Sequence, residues 1–374
     1  MLLSSIKSSN HNINREILIA FSENKVSKGY YLHENNNSSL PFDINVSAQG
    51  YKINNTNKHL FLTSEEFGQF SNGDIILFQP IGSIKLIYKS KSQDNALFVT
   101  EQCNNHCLMC SQPPHIKDDI DYYYNLNTKL IDLLPHDLIK LGITGGEPTL
   151  LGERLYHLLN KIATHLPNTS IHLLTNGRRF DNIDYAKLIA QIELHDLLIG
   201  IPFHSDYYKD HDFIAQVDGA YYETLKGLYN LARFNQNIEL RIVINQINYK
   251  RLPQISEYIF RNMPFVNHVA FMALEYTGLV PKNNKKIWID PIVYKDELEK
   301  AVINLDLMGI NVSIFNLPLC LINNRLYKYA RKSISDWKVK YFETCNSCVL
   351  QEDCGGDFGT SLKHSSNIAA IKNH

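Results

Sequence analysis

The chain has 374 residues, of which 44% are hydrophobic and 20% charged, and its formal net charge is −1. This is enough chain for one large core or two moderate ones, and a balance this close to neutral gives no overall pull toward nucleic acid or an anionic membrane. No apolar run approaches the roughly 18–20 residues that span a bilayer, and the opening Met1–Lys7 holds too short an apolar stretch for a secretory signal, so a cytoplasmic protein without nucleic-acid or membrane partners is expected.

Residues 1–93 read as short strands separated by polar turns. Glu16–Phe21, Gly29–His33, Leu60–Thr63, Asp74–Gln79 and Ser83–Tyr88 carry the β-branched and aromatic runs. Asn35–Ser39 and Asn54–Asn57 read as loops, and Asn72-Gly73-Asp74 as a turn. Lys85, Lys89 and Lys91 read as a solvated strand face. This β-rich module shows no chemistry of its own, but an open sheet edge there could take a peptide by strand addition.

From 94 to 310 the rhythm becomes strand alternating with amphipathic helix. The strands are expected at Ala96–Thr100, Leu138–Thr144, Ser170–Thr175, Asp196–Pro202, Glu239–Asn245 and His268–Leu274. Between them, Leu151–Leu166, Ala220–Phe234 and Lys250–Asn262 repeat apolar residues at spacings of three and four. Six βα units imply parallel strands with right-handed crossovers, too few for a closed eight-fold barrel. The fold class is therefore α/β, a partial (β/α)6 TIM-type barrel with its chemistry at the carboxyl ends of the strands. Residues 311–358 form a cysteine-bearing module with little regular structure in the pattern, and 359–374 a polar, mobile tail.

The seven cysteines constrain the chemistry most. An odd number cannot all pair as disulfides, and they fall into two groups. Cys103, Cys107 and Cys110 stand in a Cys-x₃-Cys-x₂-Cys run just after the first core strand; Cys320, Cys345, Cys348 and Cys354 follow much later. Three thiolates can hold three irons of a [4Fe–4S] cluster and leave the fourth open, while four thiolates close a second centre. Zinc is the alternative for each: at the first site with His106 or His115 as fourth ligand, at the second with four thiolates.

Other polar groups close the later strands. Thr144-Gly145-Gly146-Glu147-Pro148 ends the second: its glycines allow close backbone approach and Glu147 can hold a cationic amine, although the segment also suits a tight turn with Pro148 opening a helix. Thr175-Asn176-Gly177 ends the third strand and Phe203-His204-Ser205 the fourth. Arg241 and Asn245, at i and i+4 of the fifth, would share one face. Glu275 closes the sixth, either toward the mouth or in a structural ion pair.

The cysteine loop followed by Gly-Gly-Glu-Pro resembles the radical S-adenosylmethionine (radical SAM) superfamily, whose signature is Cys-x₃-Cys-x-Φ-Cys. Met109 stands at Φ, usually aromatic, and keeps it apolar. The resemblance implies that Gly145, Gly146, Glu147 and Pro148 meet the methionine amino group, and that Ser205, Arg241 and Asn245 bind the ribose and carboxylate of S-adenosylmethionine. It also implies that one electron cleaves this cofactor to a 5′-deoxyadenosyl radical that abstracts hydrogen from substrate. The Cys345-x₂-Cys348-x₅-Cys354 spacing is similar to part of the SPASM/twitch modules that carry auxiliary clusters. Phe358 replaces the next cysteine of that pattern, which implies a single auxiliary cluster.

Phe98–Pro114, Leu317-Pro-Leu-Cys320, Ser333–Trp337 and Cys354-Gly-Gly-Asp-Phe358 more specifically resemble the HxsC-type maturase of His-Xaa-Ser systems, over residues 74–358 or so. This implies a ribosomally made substrate peptide with His-Xaa-Ser repeats, a second radical SAM maturase as partner and an external electron donor. Two competing readings are a radical SAM enzyme acting on a nucleoside-like metabolite and a zinc-stapled scaffold without activity. No residue stands out as a general acid or base.

Overall fold

The computed structural model describes residues 5–7, 16–21, 27–31, 42–47, 50–53, 59–60, 70–79, 83–332 and 338–372. Strands β1 (Ser5–Lys7), β2 (Ile17–Ala20), β3 (Ser27–Tyr31), β4 (Phe42–Ser47), β5 (Gly50–Ile53), β6 (His59–Leu60), β7 (Ile75–Phe78) and β8 (Ser83–Tyr88) form one antiparallel sheet, ordered β1-β8-β7-β2-β3-β4-β5-β6. The β7–β8 pair matches its sequence expectation. β1, β4 and β5 were not anticipated, because Ser-Ile-Lys, Phe-Asp-Ile-Asn-Val-Ser and Gly-Tyr-Lys-Ile are short and half polar. Both expected Asn-rich loops lie outside the described residues. At the Asn72–Asp74 turn, Gly73 takes φ 87° and the Asp74 carboxylate accepts from the amides of Ser71 (2.8 Å) and Ser90 (2.7 Å). Leu18, Ile75, Leu77 and Ile87 of this sheet share one hydrophobic cluster with Leu97, Leu126 and Leu130, so the core is continuous across residue 93.

The second sheet is entirely parallel, and each strand lies beside its predecessor in sequence. It comprises β9 (Ala96–Phe98), β10 (Lys140–Thr144), β11 (Ser170–Leu174), β12 (Asp196–Pro202), β13 (Asn237–Val243), β14 (His268–Met272), β15 (Asn311–Phe315) and β16 (Ala330–Arg331). This is the expected partial TIM-type barrel with two additional strands. β15 pairs Val312, Ser313 and Ile314 with Val269, Ala270 and Phe271. The parallel sheet therefore continues past the expected limit at 310, into residues assigned from sequence to the cysteine module.

Helices cover the outer face: α1 (Ile120–Leu133), α2 (Glu153–His165), α3 (Ile183–Ala190), α4 (Tyr208–Ala215), α5 (Ala220–Arg233), α6 (Leu252–Asn262), α7 (Val280–Ile287) and α8 (Lys295–Leu307). In α2 the repeat at three and four residues buries Leu155, Leu158, Leu159 and Ile162. Gly227 costs α5 about 1 kcal/mol of helix propensity. A Cβ there would collide with the Gly177 carbonyl, so the glycine lets α5 lie against the loop after β11. Among the described residues no helix is long and apolar enough to cross a membrane.

The expected mobile tail is instead packed. The Ser361 hydroxyl accepts from the Tyr276 amide (2.9 Å), the Leu362 amide donates to the Tyr276 carbonyl (3.0 Å), and Ile371 packs on the main core. A short antiparallel pair, β17 (Val339–Lys340) and β18 (Asp357–Phe358), ties the cysteine segment together.

Candidate active site

Cys103, Cys107, Met109 and Cys110 lie on the wall of a cavity of about 480 Å³ inside the barrel. β9 ends just before them, and neighbouring loops hold the run that follows. The Asp119 carboxylate accepts from the Thr100 hydroxyl (2.6 Å) and the Glu101 amide (2.8 Å). Arg178 donates to the Asn104 carbonyl (2.6 Å) and the Asn105 side chain (2.7 Å), while its Nε pairs with Glu223 (2.6 Å). Asn176 Nδ2 donates to Asn104 Oδ1 (2.6 Å) and approaches Cys103 Sγ (3.9 Å). On the other side the Leu279 amide donates to the Cys110 carbonyl (2.9 Å) and Asn283 to the Leu108 carbonyl (2.9 Å).

Gly145 and Gly146 serve this loop directly. The amides of Gly146 and Glu147 donate to the carbonyls of Thr100 (2.7 Å) and Gln102 (2.8 Å). A Cβ on Gly145 would sit 2.6 Å from the Thr100 carbonyl oxygen, and one on Gly146 would collide with Gln102. The glycines admit the backbone that leads into Cys103, where the sequence suggested approach to a ligand; both also reach the cavity wall.

Glu147 is fully buried and its carboxylate is taken by the chain. Oε1 accepts from the Thr149 amide (2.9 Å) and the hydroxyls of Thr149 and Thr175 (each 2.6 Å); Oε2 accepts from the Asn176 amide (2.6 Å). It stitches the loop after β10 to the loop after β11, and does not present itself to an amine. Pro148 opens a buried 3₁₀ turn, Pro148–Leu151. Ser205 is buried and accepts from the Tyr207 amide (3.2 Å). Asn245 and Arg241 do not share a face, because β13 ends at Val243 and the chain turns. Asn245 Oδ1 accepts from the Ile247 amide (2.9 Å), and its Nδ2 donates to the Val243 carbonyl (2.9 Å). Of the three residues expected at ribose and carboxylate, Arg241 alone lines the cavity, and it pairs with Glu239 (3.0 Å). Burial works to raise the Glu239 carboxyl, but His172, His268 (2.7 Å) and Arg241 hold it well below the usual carboxylate range.

Burial pushes the Cys103 thiol up to about 11 and the Cys107 thiol up to about 12, with a smaller contribution at each from neighbouring ionisable groups; burial also raises Cys110. A cation is needed to draw off these protons. His106 and His115 are solvent-exposed, away from the cavity wall. Three thiols beside open space suit an iron–sulfur cluster bound at three corners; His172, an imidazole on the same cavity wall, lies beside Glu239 (3.3 Å).

In the second group three of the four sulfurs receive a main-chain N–H. Cys354 Sγ accepts from Leu319 (3.3 Å) and Gly356 (3.4 Å), Cys345 from Phe342 (3.4 Å) and Cys348 from Ile371 (3.4 Å). Such donors stabilise sulfur carrying negative charge, so this donor set also fits a thiolate-bound centre. Among the described residues no three Cys, His, Asp or Glu side chains stand close enough to hold a single metal ion.

Glu275 lines the cavity mouth and is in an ion pair, with Lys338 (3.0 Å), and also accepts from the Thr360 hydroxyl. Lys338 and Phe358 bring the C-terminal segment onto the same wall. His204 is a buried core histidine, its ring 4.9 Å from that of His211. Asn176 and Arg178 drew no role from sequence, although the Thr-Asn-Gly at a strand end marked the place.

Residues 97–259 match the family model described as the Radical SAM superfamily. Fe-coproporphyrin III synthase of Methanosarcina barkeri is 25% identical over 187 residues, 48% of this chain and 43% of that protein. An uncharacterized protein of Methanocaldococcus jannaschii is 25% identical over 202 residues, 52% of this chain and 65% of that one. The chain thus spans less than half of one relative and just under two thirds of the other. Among solved structures, Streptococcus suis SuiB bound to the precursor peptide SuiA has a TM-score of 0.45 at 12% identity, covering 59% of this chain and 48% of SuiB. Residues 97–259, less than half of the chain, are thus similar to the radical SAM superfamily, which consists of S-adenosylmethionine-dependent enzymes built around a [4Fe–4S] cluster.

Proposed function

We propose that the chain is a radical SAM peptide maturase of the HxsC type, acting in the cytoplasm on a ribosomally made peptide with His-Xaa-Ser repeats. A second radical SAM protein is its partner and an external donor supplies electrons. The observation that carries the radical SAM part is the set of three thiols on one cavity wall, with Gly145, Gly146 and Arg241 beside them. When bound, the [4Fe–4S] cluster and S-adenosylmethionine would supply the electron and the 5′-deoxyadenosyl radical.

Cys103, Cys107 and Cys110 hold the cluster in this reading. Glycine backbone at 145 and 146 borders the methionine end, and Met109 gives an apolar contact. Glu147 and Pro148 brace the loop after β10, while Ser205 and Asn245 brace the turns after β12 and β13. Cys320, Cys345, Cys348 and Cys354 hold one auxiliary iron–sulfur cluster. The peptide assignment rests on the sequence resemblance and on a cavity wall that joins the first cysteine loop to Lys338 and Phe358.

The test is anaerobic reconstitution followed by assay of 5′-deoxyadenosine, with and without a His-Xaa-Ser peptide and with nucleoside-like metabolites. Brown protein whose turnover rises with the peptide, and a mass change on that peptide, are expected. Replacing Cys103, Cys107 and Cys110 together by alanine should abolish 5′-deoxyadenosine while iron stays at the second group. Continued cofactor cleavage in that variant overturns the site; stimulation by a metabolite alone overturns the peptide assignment.

A further inference from the structure

The segment from Ser365 to Lys372 crosses the second cysteine group and is fastened on either side of it. At its start the Ser365 hydroxyl donates to the Asp290 carboxylate (2.8 Å), which Asn367 Nδ2 also reaches (3.3 Å). At its end Lys372 Nζ donates to the Ser347 hydroxyl (2.7 Å). Between these anchors the Val349 amide donates to the Ile371 carbonyl (3.0 Å), and the Ile371 amide donates to Cys348 Sγ (3.4 Å). The Ala369 main chain lies beside Cys320. The Ile371 side chain packs on the cluster containing Leu350 and Cys354. One strap therefore runs past cysteines of two separate loops and donates to the sulfur of Cys348.

We propose that Ile371 is a positioning residue for the second centre, whose main-chain N–H raises the reduction potential of the cluster and slows its loss. This rests on reading that centre as an iron–sulfur cluster. Reduction adds negative charge that spreads onto the sulfurs, and N–H donors stabilise the reduced form more than the oxidised one. Removing the donor should lower the potential. It should also free the Cys348 sulfur for exchange with solvent ligands.

The experiment uses full-length C103A/C107A/C110A protein, so that the second centre is read alone. Ile371→Pro removes the donor, while Ile371→Ala keeps its N–H and removes side-chain packing. Midpoint potential is followed by electron paramagnetic resonance, and cluster loss by absorbance after adding an iron chelator. The proline variant should have a lower potential and lose iron about tenfold faster, as expected when a hydrogen bond to charged sulfur is removed. Ile371→Ala should keep the parent's potential.

A proline variant with the parent's potential and release rate overturns the proposal, as does Ile371→Ala shifting the potential equally. Proline can dislodge a strap outright, so exchange of the Ile371 amide is also measured in the loaded protein without strap substitutions. Slow exchange is expected there, and fast exchange overturns the proposal. If the parent takes up no iron, the reading of the centre itself has failed, and the strap's redox role falls with it.

Discussion

The two cysteine groups hold sulfur in different ways. Cys103, Cys107 and Cys110 come from one loop, and side chains fasten that loop from outside, chiefly Arg178, Asn176 and Asp119. Cys345, Cys348 and Cys354 also share one short run, but Cys320 joins them from a distant turn, and main-chain amides reach these sulfurs from residues as distant as Leu319 and Ile371. The first arrangement leaves its sulfurs facing a cavity, so a metal corner there can meet a small molecule. The second offers four sulfurs, enough to close every corner of a centre that passes electrons without binding substrate. A short spacing is enough to make an open site; a closed one needs a further cysteine brought in by the fold.

The sharpest way to break this comparison is Gly146→Ala. Its Cβ collides with the Gln102 backbone, which cannot move without dragging Cys103. Overpacking of this kind costs about 1–3 kcal/mol. Iron at the first group should be lost while iron at the second remains, as read by iron and sulfide analysis in the single variant. Equal loss at both would mean that the two sites depend on one another.

Acid tests the backing of the first loop. The α4 helix supports it through the bond from the Leu108 amide to the Ile214 carbonyl (2.9 Å), and α4 carries His211 against His204. Burial, and then the Arg178 charge, lowers His211 to about 3; burial, and then His211, lowers His204 well below its ordinary value. Both rings stay neutral in the folded protein, whereas the unfolded chain takes up protons below about pH 6.5. Stability is therefore retained above that pH and lost as pH falls toward 3, by about 1.4 kcal/mol per pH unit for each ring. Urea midpoints between pH 7 and 5 should show this slope, and His211→Phe should remove about half of it.

The smallest effect is expected from Arg178→Lys. It keeps the charge but loses the fork that holds Glu223 at Nε while Nη1 donates to Asn104 and Asn105. Chelator release from the first group should rise roughly tenfold, consistent with loss of one or two charge-assisted hydrogen bonds, without change at the second group.

The sequence showed the alternation that builds the barrel because apolar spacing of two and of three to four is local. It also showed both cysteine groups, since thiol spacing is written directly in the chain. The seventh parallel strand, Asn311–Phe315, is short and half polar, and Asn-Val-Ser-Ile-Phe alternates over too few residues to stand out from a loop. Glu147 and Asn245 were read by residue type as ligand groups. Whether a carboxylate or an amide faces a cavity depends on which donors the neighbouring loops bring to it, and here those donors are Thr149, Thr175 and Asn176 for one and Ile247 for the other.

What the chain alone determined was therefore its chemical inventory and its repeating βα order, both of which follow from spacing along a single strand of polymer. Only the tertiary structure decided which polar groups face the cavity and which are spent on one another. It also brought the Ile371 amide to the sulfur of Cys348, a contact no spacing in the chain foretells. Hydrogen-bond satisfaction is a property of neighbours in space, and buried polar groups must be paired wherever the fold puts them.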